Sequence, residues 1–227
     1  MLSQKSTKKK LENMQLKERI SYGYRKVIIM MLISGLLSIV IIGMLFGNML
    51  NYVQNVNAAD QAVKICRINV NAAARNIREM ALNDDASTYD GYKQTVENLL
   101  AEVDAELKIL KGTGVVSDAD YQEYATSLSD WGNVGYSIMA DIMSGDKEKA
   151  IDAIHNECTP ALNKTVEIAI RLDELTDEVS NRTVRNTFVS AVVGFAGIIA
   201  CLIFAWILTQ KTSKKVLQTI LEPLHAI

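Results

Sequence analysis

Four side chains able to bind an anion recur along one stretch of this sequence: Arg67, Asn71, Arg75 and Arg78. Steps of four, four and three keep them on roughly one face of a helix. A guanidinium presents paired N–H donors in a fixed fork, so such a stripe within an acidic region suits a carboxylate. A solvated face, or arginines paired with Asp and Glu of neighbouring helices, accounts for the same pattern. Further along, His155 and Cys158 lie three apart with only Glu157 nearby, too few ligands for a zinc site. No nucleophile elbow, phosphate loop or zincin pattern occurs, so neither catalysis nor a metal or cofactor is expected.

The elements that must position these residues begin with two charge-free stretches, Val27–Phe46 and Phe188–Leu208. At about 1.5 Å per residue, each is long enough to cross a hydrocarbon core of roughly 30 Å. Both are apolar on every side, unlike a core helix with one apolar stripe. Val27–Phe46 is longer than a signal-peptide core and no small-x-small site follows it directly, which favours an uncleaved anchor. Residues 1–26 carry a net charge of +6, residues 209–227 carry +2, and residues 47–187 carry −10. Excess Lys and Arg marks the cytoplasmic end of a span, which places both termini inside a cell membrane and the acidic middle outside. Tyr22, Tyr24 and Trp206 suit the cytoplasmic interface. The Lys8–Lys10 run suits anionic lipid headgroups rather than nucleic acid. Gly43, Gly47, Ser190, Gly194 and Gly197 offer packing points for a transmembrane bundle.

Residues 47–187 contain one proline, Pro160, and three clusters of turn residues: Asn83-Asp84-Asp85, Lys111-Gly112-Thr113-Gly114 and Ser144-Gly145-Asp146. Four segments remain, 48–82, 86–110, 118–143 and 146–187. In the first, Val56, Ala59, Val63, Cys66, Val70, Ala73, Ile77 and Met80 recur at steps of three and four. Val96, Leu100, Val103, Leu107 and Leu110 do so in the second, and Ile168, Leu172, Leu175 and Val179 in the fourth. That is the seam of a helical bundle. The third segment has Tyr121, Tyr124, Leu128, Trp131 and Ile138, interrupted by Gly132 and Gly135. The expected fold is all-α: an antiparallel up-down four-helix bundle, membrane-anchored and continuous with two transmembrane helices.

Counting outward along straight helices from Phe46 and Phe188 puts Arg75 level with Thr159, both about 43 Å from the membrane. Asn71 then faces Asn163, and Arg67 faces Glu167 as an ion pair. The expected ligand pocket comprises Asn71, Arg75, Arg78, Thr159 and Asn163. Cys66 and Cys158 differ by about 15 Å in height, too far for a disulfide, which needs Cα atoms within about 7 Å. Cys66 instead reads as a small core residue. Pro160 costs its helix one backbone hydrogen bond.

A basic N-terminus, a span, a helical segment with a Gly-Asp turn before its last helix, and a second span together resemble the sensory half of a methyl-accepting chemotaxis receptor. The tail Glu222-Pro223-Leu224-His225-Ala226-Ile227 resembles the Pro-Leu-x-x-Ile opening of a HAMP linker. The resemblance implies a chemotaxis receptor module that binds a small extracellular ligand, acts as a homodimer and reaches a kinase only through sequence beyond Ile227. It divides the chain into a cytoplasmic segment 1–26, spans 27–46 and 188–208, a ligand-binding domain 47–187 and the start of a HAMP linker 209–227. In the aspartate- and serine-sensing receptors, helix-one arginines at a dimer interface and residues beside a helix-four proline hold the amino acid. Here Ala161 follows Pro160 where the aspartate receptor has a threonine, which departs from amino-acid specificity. A histidine kinase or diguanylate cyclase carries similar modules. A membrane-anchored bundle that binds another protein is the rival of a different class.

Overall fold

The computed structural model describes residues 16–224, so Lys8–Lys10 and His225–Ile227 lie outside the described residues. Two compact units form, one spanning Asn48–Arg185 and the other formed from Met1–Gly47 with Asn186–Ile227. The described helices are α1 (Leu16–Asn51), α2 (Asn57–Leu82), α3 (Tyr89–Thr113), α4 (Asp118–Ser144), α5 (Lys147–Ala153) and α6 (Thr159–Leu224). Two π turns interrupt them, at Tyr52–Val56 and Ile154–Cys158, and a 3-10 turn, Ala86–Thr88, precedes α3.

Each break in the bundle has a local cause. Asp85 accepts from the Ser87 N–H, Ser117 from the Asp120 N–H, and Asp146 from the Lys149 N–H, so each starts a helix by satisfying an otherwise orphaned donor. Gly114 and Gly145 adopt φ of 63° and 92°, the left-handed conformation that ends α3 and α4. The helix expected to stop at residue 110 runs on to Thr113, because Gly112 stays helical and Gly114 supplies the cap.

The bundle core follows the seam. All eight seam residues of the first segment, from Val56 to Met80, are buried. They meet Val96, Val103 and Leu110 of α3, with Tyr124, Trp131 and Ile138 of α4 in the same cluster. The α4 glycines, which weaken its helix pattern, are themselves buried, and a Cβ at Gly135 would stand 2.9 Å from Ile77 Cδ1. Gly135 therefore lets α4 approach α2 closely. Helices α2 and α6 run antiparallel, since Arg78 meets Thr159, Asp60 meets Thr176 and Tyr52 meets Ser180. On α6 the buried face includes Thr165 and Thr176, whereas Leu175 and Val179 are half-buried.

The second unit stands apart in character. Its helical stretches expose large apolar side chains throughout, among them Leu36, Ile39, Phe46, Phe195 and Phe204. Two helical runs, Ser21–Leu82 and Lys147–Lys214, are long and apolar enough to cross a membrane, with mean hydropathy of 2.8 and 2.6 in their most apolar windows. Within this unit the two stretches pack antiparallel: a Cβ at Gly23 would meet Thr212 at 3.1 Å, and one at Gly194 would meet Ile41 at 2.7 Å. Gly194 is thus a packing point within one chain, while Gly43, Gly47 and Gly197 meet nothing within 4 Å.

Candidate functional site

The arginine stripe lies along one side of α2. Arg78 donates from Nη2 to Thr159 Oγ1 at 3.4 Å, and the same hydroxyl donates to the Ile154 carbonyl at 2.7 Å. Arg75 is exposed and makes no hydrogen bond or ion pair among the described residues. Arg67, Ile68, Asn71, Ala72 and Arg75 line an open depression of 360 Å³. Asn71, exposed on the same face, donates its amide N–H to the Arg67 carbonyl (2.7 Å). Of the five expected pocket residues, Arg78 and Thr159 are in contact. Asn71 and Arg75 share the depression, whose lining includes neither Arg78 nor Thr159, and Asn163 is exposed on α6 without lining it.

Pro160 explains the backbone at this point. A proline ring clashes with the carbonyl four residues earlier and offers no N–H. The chain accommodates it with the π turn at Ile154–Cys158, in which the Thr159 N–H reaches back to the Ile154 carbonyl. Arg78, Thr159 and the Ile154 carbonyl thus connect α2 to the one irregular turn near the start of α6.

The expected Arg67–Glu167 pair does not form. Arg67 pairs with Asp173 at 3.2 Å, and Lys64 lies 2.7 Å from Asp60, 3.5 Å from Asp173 and 3.7 Å from Asp177. The counting that matches Arg75 to Thr159 is about one turn out, because Arg78 takes that place. Such counting assumes straight helices of uniform rise, and π turns hold more residues than the α-helix in the same length. The Asp60 carboxylate raises the Lys64 pKa, with Asp173 and Asp177 adding to it against partial burial. Farther from the stripe, Arg171 pairs with Glu123 across α4 and α6.

Two polar contacts inside the bundle escape a reading based on apolar spacing. Ser127 and Thr165 share a buried hydroxyl contact of 2.7 Å, and Asn69 donates to Glu102 at 2.8 Å. Thr165 lies one helical step before Ile168 on the α6 seam, and a polar residue at an apolar position is the signal that could have found it. Cys66 and Cys158 are both buried free thiols. Cys66 directs its Sγ to the Val103 carbonyl at 3.7 Å, and burial pushes its pKa up to about 12. Burial also raises the Cys158 thiol, an effect partly countered by Trp131. No group of three or more His, Cys, Asp or Glu suited to a metal occurs among the described residues.

A family model described as "Four helix bundle sensory module for signal transduction" matches residues 13–191. No curated protein and no solved structure matches the chain.

Proposed function

We infer the role of this chain from the family to which it belongs, the four-helix-bundle sensory modules for signal transduction. Such modules occur in chemoreceptors and other sensors, and the module itself has no catalytic function. Our reading is a homodimeric transmembrane chemoreceptor input, anchored in the cell membrane by residues 27–46 and 188–208. Both ends face the cytoplasm and the bundle of residues 47–187 lies outside. The charge partition along the sequence supports that orientation.

The ligand in this reading is a small anion, a carboxylate above all, held by Arg75 and Arg78 with Asn71, Thr159 and Asn163 around it. One observation carries it. Arg75 is an unpaired guanidinium lining an open depression, whereas Arg67, the other arginine of that lining, is paired with Asp173. A carboxylate held by Arg75 that also engaged Arg78, one turn beyond the lining, would compete with Thr159 for it. Loss of the Arg78 contact would leave the Thr159 hydroxyl bonded to the Ile154 carbonyl alone and uncouple the π turn from α2. Converting a π turn to α-helix removes one residue from the turn, rotating the rest of α6 by about 100° and moving it about 1.5 Å. Such a shift along α6 is a means of transmission, provided the ligand prefers one form of the turn.

The test is a screen of small carboxylates, amines and neutral metabolites against the full chain by thermal shift, with calorimetry on each hit. A carboxylate whose affinity falls at least tenfold in both Arg75→Ala and Arg78→Ala supports the site. Unchanged affinity in both variants overturns it. A screen that yields protein partners alone by crosslinking favours the interaction bundle over a receptor.

A further inference from the structure

A second recess lies on the opposite pairing of the bundle, between α3 and α4. Helix α3 packs closely along α2 and sparsely against α4, and the gap holds a groove of 170 Å³. Its floor is apolar, formed by Leu100, Val103, Leu107 and Leu128. A Cβ at Gly132 would stand 4.0 Å from Leu100 Cδ1, an ordinary contact, so the glycine leaves room there for one methyl group.

The rim is polar: Asp104 from α3, with Ser129, Asn133 and Tyr136 from α4. None of these four side chains makes a hydrogen bond or ion pair with another described residue. Elsewhere on the bundle, helical Asn71 and Asn76 turn their amides back onto carbonyls one turn earlier. Here the carboxylate, hydroxyl and amide remain available together at one opening. Asp104 is the only formally charged residue in the lining, and the surrounding segment is itself strongly acidic. Tyr136, 44% exposed, offers an aromatic face of the kind that attracts organic cations.

We propose that this α3–α4 groove is a binding site for a small organic ammonium with a short apolar stem. The stem lies on the leucine and valine floor. The cation sits at the rim, against Asp104 and within reach of the Ser129, Asn133 and Tyr136 oxygens. The volume admits a ligand of about five or six non-hydrogen atoms, taking roughly 30 Å³ for each as for liquid water. The site is separate from the arginine stripe, which has the opposite charge, and it stands or falls without it.

The test uses the full chain in maltoside micelles, which carry no ammonium group, with n-butylammonium as the probe. Ligand-observed NMR titration reads the binding, and empty micelles correct for partitioning. Saturable binding is expected, weakening with salt as a partly exposed charge contact should. Asp104→Asn should weaken it at least tenfold. Gly132→Ala, which the spacing to Leu100 accommodates, narrows the floor and should weaken it at least threefold. Arg75→Ala should leave it unchanged, whereas loss of carboxylate binding in that variant alone bears on the other site. Binding that does not saturate, that survives Asp104→Asn, or that butyrate reproduces in an Asp104-dependent manner overturns the proposal. Circular dichroism melts of each variant separate a lost site from a lost fold.

Discussion

Replacing Gly135 with alanine sets two effects of similar size against each other at the point where α4 comes closest to α2. Glycine in a helix interior costs about 1 kcal/mol relative to alanine, so on propensity alone Gly135→Ala should stabilise. The added Cβ would stand 2.9 Å from Ile77 Cδ1, closer than a methyl contact allows, and Ile77 is 1% exposed with little room to turn. Overpacking of this kind costs about 1–3 kcal/mol. The net expectation is a destabilisation of up to about 2 kcal/mol. Ile77→Val removes the offending Cδ1 and alone costs about 0.5–1.5 kcal/mol. In that background the alanine methyl fits the vacated space, so Gly135→Ala should now stabilise by about 1 kcal/mol. The sign reverses between the two backgrounds, a coupling of about 1–3 kcal/mol. Trp131, one turn from Gly135 and fully buried, reports locally on the bundle. Urea titrations tracked by its emission, in a Trp206→Phe background that leaves it the sole tryptophan, measure all four corners of the cycle. If Gly135→Ala stabilises the parent and the cycle closes to within about 0.5 kcal/mol, close approach is not why glycine sits there. Because Arg78 adjoins Ile77, the same variants also ask whether the α2–α4 distance tunes the arginine stripe.

Thr165→Val should destabilise the bundle by about 1–3 kcal/mol by stranding the buried Ser127 hydroxyl. Adding Ser127→Ala should recover most of that loss in the same urea assay. Asp173→Ala should lower stability by about 1 kcal/mol or less, because the Lys64 and Arg67 pairs it removes are partly exposed, while Glu167→Ala should leave it unchanged. Lys147 donates to the Asn83 carbonyl and to Asp84, which lowers the Asp84 pKa below 3.8 and raises that of Lys147 above 10.5. The Asp84 contribution is present above pH 3.8 and is lost as pH falls through its lowered value. That of Lys147 is present below pH 10.5 and is lost as pH rises through its raised value. Amide shifts of residues 83–88 should therefore move at both extremes, and Lys147→Met should shift the acid step up toward pH 3.8. Buried Cys66, with its pKa of about 12, should resist maleimide at about pH 8 in the folded chain and react at once in denaturant.

Where the chain obeys helical periodicity, its sequence is transparent. Val56 through Met80 repeat at three and four because one face of α2 must meet three other helices, and all eight residues are buried. Turns are legible for the same reason: Ser117, Asp146, Gly114 and Gly145 each satisfy a backbone need that few residues meet. Register is less so. Pairing Arg75 with Thr159 and Arg67 with Glu167 depends on every residue contributing equal rise, and π turns break that assumption without a marked signature at Tyr52–Val56. Pro160 signals the other turn but not its form. Buried hydroxyls such as Thr165 and Thr176 show in the sequence only as polar residues at seam positions, a mark that does not name the partner across the core. The α3–α4 groove depends on how closely two helices lie, which spacing along one chain does not encode.

The π turn at Ile154–Cys158 also bears on how this chain tolerates change over time. An ordinary helix punishes the loss or gain of a single residue, since everything beyond it arrives on the wrong face. A π turn already holds one residue more than its α-helical counterpart. Here Asn156 and Glu157 are exposed while Ile154 and Cys158 hold the core. A one-residue deletion at the exposed pair can be absorbed by closing the turn into regular helix, leaving Ile154 and the residues before it in place. Length variation among related sequences should therefore gather at this turn rather than in the loops alone, and an alignment that forces a gap out of this helix would misplace Thr159 by one position.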